Sequence, residues 1–332
     1  MQALSQLSYT PEELRILFAQ THFVNSLVRF FCNRCRIDTA GIIRPFHMES
    51  GIVSVDSLLY CSEKVAPFGS SNYYALLWQA PKTRTRMLAV LALRQELLDI
   101  PARVSDGQLA LTKLNWWRDE LARAARGVAQ HPVSNGLQPL LGESVLSLAE
   151  LTSICDGVEM LLHTGRLQDE AALLTFCRLT GGLPWQLTAR IADPGDAPGL
   201  AYAEQVGVGL QLLETLQNLV AEAQRGMILA PTSMLERHNL PVERLASAEP
   251  DEHFVALAKD MLARSQSVLL AARQQLPGRV PAALRYLAAL AAMANATAKE
   301  LEHSGLDSLA SQRLSLTPVR KLLLAWKSRW FA

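Results

Sequence analysis

Three polar side chains recur every four residues in the segment GLQLLETLQNLVAEAQRG, residues 209–226. Residues four apart lie on one face of an α-helix, so Glu214, Asn218 and Glu222 form a row on an otherwise apolar segment. Carboxylate and amide oxygens are ligands that Mg²⁺ accepts, so a row that faces the protein interior predicts a magnesium and phosphate site. The alternative is a row that faces solvent, or a structural network with Arg225, because rows of charge are usually solvated.

Two segments that precede this helix carry further candidates for phosphate binding. Arg84 lies near the predicted start of a helix, where backbone N–H groups also attract anions. In the segment PFGSSNYYALLW, Ser70 and Ser71 could donate hydrogen bonds to a phosphate. Tyr73 and Tyr74 of the same segment could line a cavity. The alternatives are a surface arginine, and a helix N-cap followed by core aromatic residues.

The elements that must position these groups all have the period of an α-helix. In one predicted helix, for example, Leu114, Trp117 and Leu121 fall on a single face. No run of alternating β-branched residues is long enough to predict a sheet. The sequence therefore predicts an all-α fold. The predicted helices span residues 85–100, 108–126, 146–164, 169–192, 200–224, 251–275, 280–302 and 317–330.

The composition limits the classes of function. A net charge of +1 over 332 residues gives no reason to expect nucleic-acid binding, which usually needs a basic domain. Apolar residues make up 49% of the chain, enough for a large core. The five cysteines are odd in number and irregularly spaced, so a reducing, cytoplasmic location is expected rather than a disulfide framework.

The C-terminal segment VRKLLLAWKSRWFA combines basic and aromatic side chains at the end of a predicted helix. This composition suits peripheral attachment to the inner face of a membrane. A helix that docks on the protein and leaves a solvated basic tip is the alternative.

The first 47 residues differ from the rest of the chain. They contain arginine but no lysine, and a fresh helical pattern begins after Met48. We expect residues 1–47 to be an appendage or a start-site artefact, and residues 48–332 to form the domain proper.

Several stretches, taken in order, resemble the squalene/phytoene synthase family. YCSEKVAPFGSSNYYALLW is similar to the opening segment of that family, and KLNWWRDEL followed by HPV is its most recognisable stretch. DGVEM, FCRLTGG and GVGLQLLETLQNLVAEAQRGMILAP follow in the family order, and RLSLTPVRKLLLAWKSRW resembles the usual C-terminal helix. The resemblance covers most of the chain.

The resemblance implies an isoprenoid-synthase-type bundle of helices around a central apolar cavity. Active members join two prenyl diphosphates, such as farnesyl or geranylgeranyl diphosphate, head to head. Two aspartate-rich motifs on facing helices hold Mg²⁺, which neutralises the departing diphosphate. Gln211, Glu214, Asn218 and Glu222 stand at the positions of the second motif, and Arg225 after them is kept.

The sequence departs from the family at both motifs. Leu98 and Ala102 stand where the first motif has its aspartates, and only Asp99 between them is acidic. In the second motif a family asparagine is Glu214 and a family aspartate is Asn218. The stretch QELLDIPARVSD is closer to a branch that resembles the complex I assembly factors, which lack both motifs but keep the fold.

Two interpretations remain open. In the first, the chain binds prenyl diphosphate and condenses it; Glu214, Asn218 and Glu222 then serve catalysis and, with Asp99, bind Mg²⁺. The substrate-binding residues would be Ser70, Ser71, Tyr73, Tyr74, Arg84, Gln211 and Arg225. In the second, the chain is a catalytically inactive family member that works as an assembly or interaction factor with a protein partner.

Overall fold

The computed structural model describes residues 55–104, 106–247, 250–276 and 278–332. Residues 1–47, the expected appendage, lie outside this part of the chain. The described residues are helical apart from loops and an isolated bridge between Arg166 and Ile228, which confirms the all-α prediction. The α-helices are α1 (Val55–Val65), α2 (Ser71–Leu76), α3 (Pro81–Arg103), α4 (Gly107–Ala125), α5 (Pro132–Gly142), α6 (Leu148–Thr164), α7 (Glu170–Cys177), α8 (Leu183–Ala192), α9 (Ala197–Gln217), α10 (Leu219–Ala223), α11 (Thr232–Arg237), α12 (Val242–Ala246), α13 (Glu252–Gln274), α14 (Arg285–Ser304) and α15 (Pro318–Phe331).

Local sequence signals account for many of the helix starts. Asp106 accepts hydrogen bonds from the backbone N–H groups of Gln108 and Leu109 in α4, and Asp251 accepts one from Phe254 in α13. Ser147 and Glu150 form a reciprocal capping box at the start of α6. Each cap pairs donors that the helix cannot satisfy itself, so these starts are fixed by residues close in sequence.

Helix α3 runs through the centre of the bundle. Its residues 87–93 are all buried, and it packs against α1, α5, α6 and α8. Helix α9 packs against α13 on one side and against α8 and α14 on others. The two helices that carry the motif positions therefore belong to the buried framework, which fixes their spacing.

Two of the predicted helices are interrupted. The predicted helix 169–192 contains a π-helical turn, Arg178–Gly182, between α7 and α8. This turn lies so close to α9 that a Cβ atom on Gly207 would stand 2.5 Å from the carbonyl oxygen of Gly181. The predicted helix 200–224 breaks at Asn218, whose φ and ψ of −101° and 1° end α9 before α10 begins.

No helix in the described ranges is long and apolar enough to cross a membrane.

Glu120 of the stretch KLNWWRDEL fixes the HPV segment that follows it in the chain. Its side chain is fully buried on α4 and accepts hydrogen bonds from the backbone N–H groups of Gln130 (2.7 Å) and His131 (2.8 Å). Ser134 donates a third hydrogen bond, and Arg123 forms an ion pair at 2.7 Å. One carboxylate thus joins α4 to the start of α5.

Candidate functional site

A cavity of about 510 Å³ separates the C-terminal part of α3 from the C-terminal part of α9 and from α10. The segment Leu309–Arg313 closes it on another side. Leu161 and Phe176 contribute apolar wall, while amide side chains such as Gln95 give it a partly polar surface. The cavity is the place where the two motif-bearing helices face each other.

The polar row singled out in the sequence lines this cavity. Gln211, Glu214, Asn218 and Glu222 all contribute to its wall, although the helix breaks at Asn218. Arg225 lines the same cavity, one turn beyond Glu222. The row therefore lines a cavity that is partly open to solvent, and its members are buried or half-buried.

The opposite wall comes from α3 and contains the positions where the family has aspartates. Leu98, Pro101 and Ala102 line the cavity, together with Asp99. The structure therefore brings the two motif positions face to face, as the match in the sequence implies. The wall that would supply carboxylates in the family supplies a leucine and an alanine here.

Arg94, which was not among the residues selected from the sequence, joins α3 to α9 beside the cavity. It lies one turn before Leu98, and its guanidinium forms an ion pair with Glu214. It also donates hydrogen bonds to Gln211 (2.6 Å) and to the carbonyl oxygen of Thr180 in the π-helical turn (2.7 Å). The signal in the sequence was an arginine set within the apolar run that forms α3.

The Arg94–Glu214 pair is largely shielded from solvent, since the side chains are 12% and 27% exposed. Burial by itself would raise the pKa of the Glu214 carboxyl. The charge of Arg94, with that of Arg313 at 4.0 Å, outweighs burial and lowers the pKa. Glu214 is therefore an anion whose charge is balanced by the protein itself.

The other two carboxylates of the cavity also have cationic partners. Glu222 pairs with Arg225 at 2.9 Å, although burial raises the pKa of its carboxyl more than this pair lowers it. Asp99 pairs with Lys64 at 2.8 Å and with Arg103 at 3.0 Å. Each carboxylate that faces the cavity already has a partner of opposite charge.

These residues do not fit the magnesium site of the family. Mg²⁺ needs oxygen ligands in near-octahedral geometry, and Leu98 and Ala102 offer none. A metal bound through Oε2 of Glu214 would also have to displace Arg94, leaving a largely buried guanidinium without its carboxylate, which is costly. Within the described ranges, no group of three or more acidic, histidine or cysteine side chains is arranged to hold a metal ion.

The remaining predicted substrate-binding residues lie elsewhere. Ser70 caps α2 by accepting a hydrogen bond from the backbone N–H of Tyr73 at 3.1 Å, and Ser71 begins that helix. Tyr74 is fully buried beside Tyr73, and its hydroxyl has no hydrogen-bond partner among the described residues. Arg84 lies in the first turn of α3. None of these five residues is part of the cavity wall.

A helical bundle with two motif-bearing helices facing each other across one cavity is the architecture of an isoprenoid-synthase-type protein. The chain matches the model of the squalene/phytoene synthase family over residues 65–320, and it belongs to that family.

Individual relatives are distant. A presqualene diphosphate synthase from Rhodopseudomonas palustris is 28% identical over 170 residues, which is 51% of this chain and 61% of the relative. The chain thus spans less than two thirds of that protein's length. A phytoene synthase from Mycobacterium tuberculosis is 24% identical over 216 residues, covering 63% of this chain and 70% of the relative.

Solved structures share the fold. A dehydrosqualene synthase in complex with a ligand superposes with a TM-score of 0.70 at 16% identity, covering 82% of this chain and 95% of that chain. A squalene synthase from Alicyclobacillus acidocaldarius gives a TM-score of 0.64 at 17% identity, with coverages of 76% and 95%. At these identities the likeness concerns the fold alone.

Proposed function

We propose that this chain is a catalytically inactive member of the squalene/phytoene synthase family that works as an assembly or interaction factor. It keeps the bundle and the cavity of the family. It lacks the side chains for metal-dependent condensation of prenyl diphosphates and has an internal ion pair instead.

The ion pair between Arg94 and Glu214 carries the proposal. Ionising an allylic diphosphate places negative charge on the leaving group, and that charge must be stabilised where it develops. In this cavity the side chains at the motif positions of α3 are Leu98 and Ala102, and the arginine that reaches across from α3 is already bound to Glu214. Loss of a single such stabilising group typically costs about 10²–10³ in rate.

A second function, binding of farnesyl or geranylgeranyl diphosphate with or without condensation, is favoured by a different observation. The cavity retains Gln211, Glu214, Asn218 and Glu222 in one row, with Arg225 and Arg313 nearby. Arginines bind phosphate oxygens directly. Under this alternative the cavity is a ligand site, and its occupancy is detectable without any reaction.

The two functions differ in their response to prenyl diphosphate and Mg²⁺. We expect the melting temperature of the full chain to change by less than about 1 °C with Mg²⁺, with or without farnesyl or geranylgeranyl diphosphate. A ligand at about 100 times its Kd would stabilise the fold by about 2.7 kcal/mol, a shift of several degrees. Differential scanning fluorimetry with EDTA-treated protein measures the difference.

Two variants sharpen this test. Leu98→Asp with Ala102→Asp returns oxygen ligands to α3 and is the positive control for metal binding. Glu222→Ala removes a carboxylate from the opposite wall. An EDTA-reversible rise in melting temperature of the natural chain, lost in Glu222→Ala, would favour the prenyl-diphosphate function over the one proposed.

A further inference from the structure

The C-terminal helix α15 presents an exposed stripe that the proposed function does not use. Leu323, Trp330 and Phe331 are 55%, 57% and 68% exposed. Arg320 and Lys327 are also exposed, and they lie on the same side of the helix as these apolar residues. The spacing of 320, 323, 327 and 330 follows the helical period, so these side chains form one continuous face.

The opposite face fixes the helix to the protein. Leu322 and Ala325 are buried, and α15 packs against α14 and α2. Arg285 of α14 donates a hydrogen bond to the carbonyl oxygen of Arg329 at 2.8 Å. The helix is therefore fixed to the protein by its buried face, and the apolar stripe on its other face makes none of these contacts.

The charge of α15 has a single sign. Residues 318–331 contain two arginines and two lysines but no aspartate or glutamate. Arg320 pairs with Glu300 of α14, and the guanidinium of Arg329 lies 5.5 Å from the ring centroid of Trp330. An exposed helix face that combines cations with aromatic rings is complementary to an anionic surface with an apolar layer beneath it.

A second element packs against α15. Lys321 donates a hydrogen bond to the carbonyl oxygen of Gly69 at 2.9 Å, which holds the loop before α2 against α15. The neighbouring Phe68 is 39% exposed and packs edge-on against Tyr73. The loop that carries this ring is thus attached to α15 through the buried Lys321.

We propose that the exposed face of α15 binds the surface of a membrane that contains anionic phospholipid. Trp330, Phe331 and Leu323 enter the region between headgroups and acyl chains. Lys327 and Arg329 contact the lipid phosphates. The proposal does not depend on what the cavity does.

Flotation of the full chain with vesicles tests this binding. We expect co-flotation with vesicles of phosphatidylcholine and phosphatidylglycerol, little with phosphatidylcholine alone, and weaker binding at high salt. Trp330→Ser with Phe331→Ser should reduce binding at least about tenfold, because both exposed rings are lost. Lys327→Glu should reduce it at least about fivefold.

A matched control is available on α13. Leu270 is 66% exposed there, and Lys259 is exposed on the same helix, so Leu270→Ser with Lys259→Glu makes the same kind of change elsewhere. The control should bind vesicles like the natural chain, and circular dichroism should show all variants folded. The assay needs neither Mg²⁺ nor prenyl diphosphate, so its outcome is independent of the proposed function.

Three results would overturn the proposal. One is absence of binding by the full chain to anionic vesicles. Another is equal loss of binding in the α13 control. The third is self-association of the natural chain that the α15 substitutions abolish while vesicle binding persists, which would assign the face to a second copy of the chain.

Discussion

Replacing Arg94 with leucine is expected to lower the free energy of unfolding by about 3 kcal/mol. The substitution leaves Glu214 without its main partner in a site where that carboxylate is only 27% exposed. It also removes the hydrogen bonds to Gln211 and to the carbonyl oxygen of Thr180. Chemical denaturation, with the slope compared between variants, measures the change.

The same helix offers a matched control. Arg86 also forms an ion pair with a glutamate, Glu143, but that glutamate is 43% exposed. Arg86→Leu should change the stability by no more than about 1 kcal/mol, because solvent screens such a pair.

A double replacement separates the ion pair from simple packing. Arg94→Leu with Glu214→Leu leaves no unpaired charge, so it should be more stable than Arg94→Leu alone. If Arg94→Leu costs no more than Arg86→Leu, the ion pair between Arg94 and Glu214 does not organise the cavity.

Replacing Glu120 with alanine should cost about 4 kcal/mol, since it leaves the half-buried Arg123, a buried serine and two backbone N–H groups without their acceptor. The side chain is fully buried and holds the start of α5 against α4. Asp119→Asn, at the exposed neighbouring position, is the control and should stay within about 0.5 kcal/mol.

The effect of Glu120 should depend on pH. Burial alone would raise the pKa of this carboxyl, but the hydrogen bonds from Ser134, His131 and Gln130 and the contact with Arg123 together lower it. A lowered pKa in the folded state means that the carboxylate stabilises the fold above its unfolded pKa of about 4.3. That contribution is lost as the pH falls through the folded pKa.

Glu120→Gln, compared with the natural chain by denaturation at several pH values, measures this dependence. The difference in stability should be largest near neutral pH and should shrink below about pH 4. A difference that is constant with pH would mean that shape, and not charge, accounts for the role of Glu120.

The helices were predictable from the sequence because the signals for them are local. Asp106 and Asp251 cap helices a few residues away, and the apolar face of α4 is visible in its own period. The break at Asn218 and the π-helical turn at Arg178–Gly182 were missed. The π-helical turn meets α9 in a close contact, and this contact involves segments far apart in sequence.

The candidate site was predictable only in part, for the same reason. The four-residue spacing of Glu214, Asn218 and Glu222 identifies a row, and the structure shows that this row lines the cavity. The partner of Glu214 is Arg94, which is 120 residues away in the sequence. No period or motif connects those two positions in the sequence. Only the three-dimensional structure shows that Arg94 contacts the row.

We propose that the cavity does not carry out metal-dependent condensation, and a product assay is the experiment that decides this. The purified full chain is incubated with Mg²⁺ and with farnesyl or geranylgeranyl diphosphate, and organic extracts are analysed by mass spectrometry. Glu222→Ala and the variant with Leu98→Asp and Ala102→Asp are run alongside. We expect no thirty- or forty-carbon product from the natural chain. Such a product from the natural chain, lost in Glu222→Ala, would overturn the proposed inactivity and establish a working synthase.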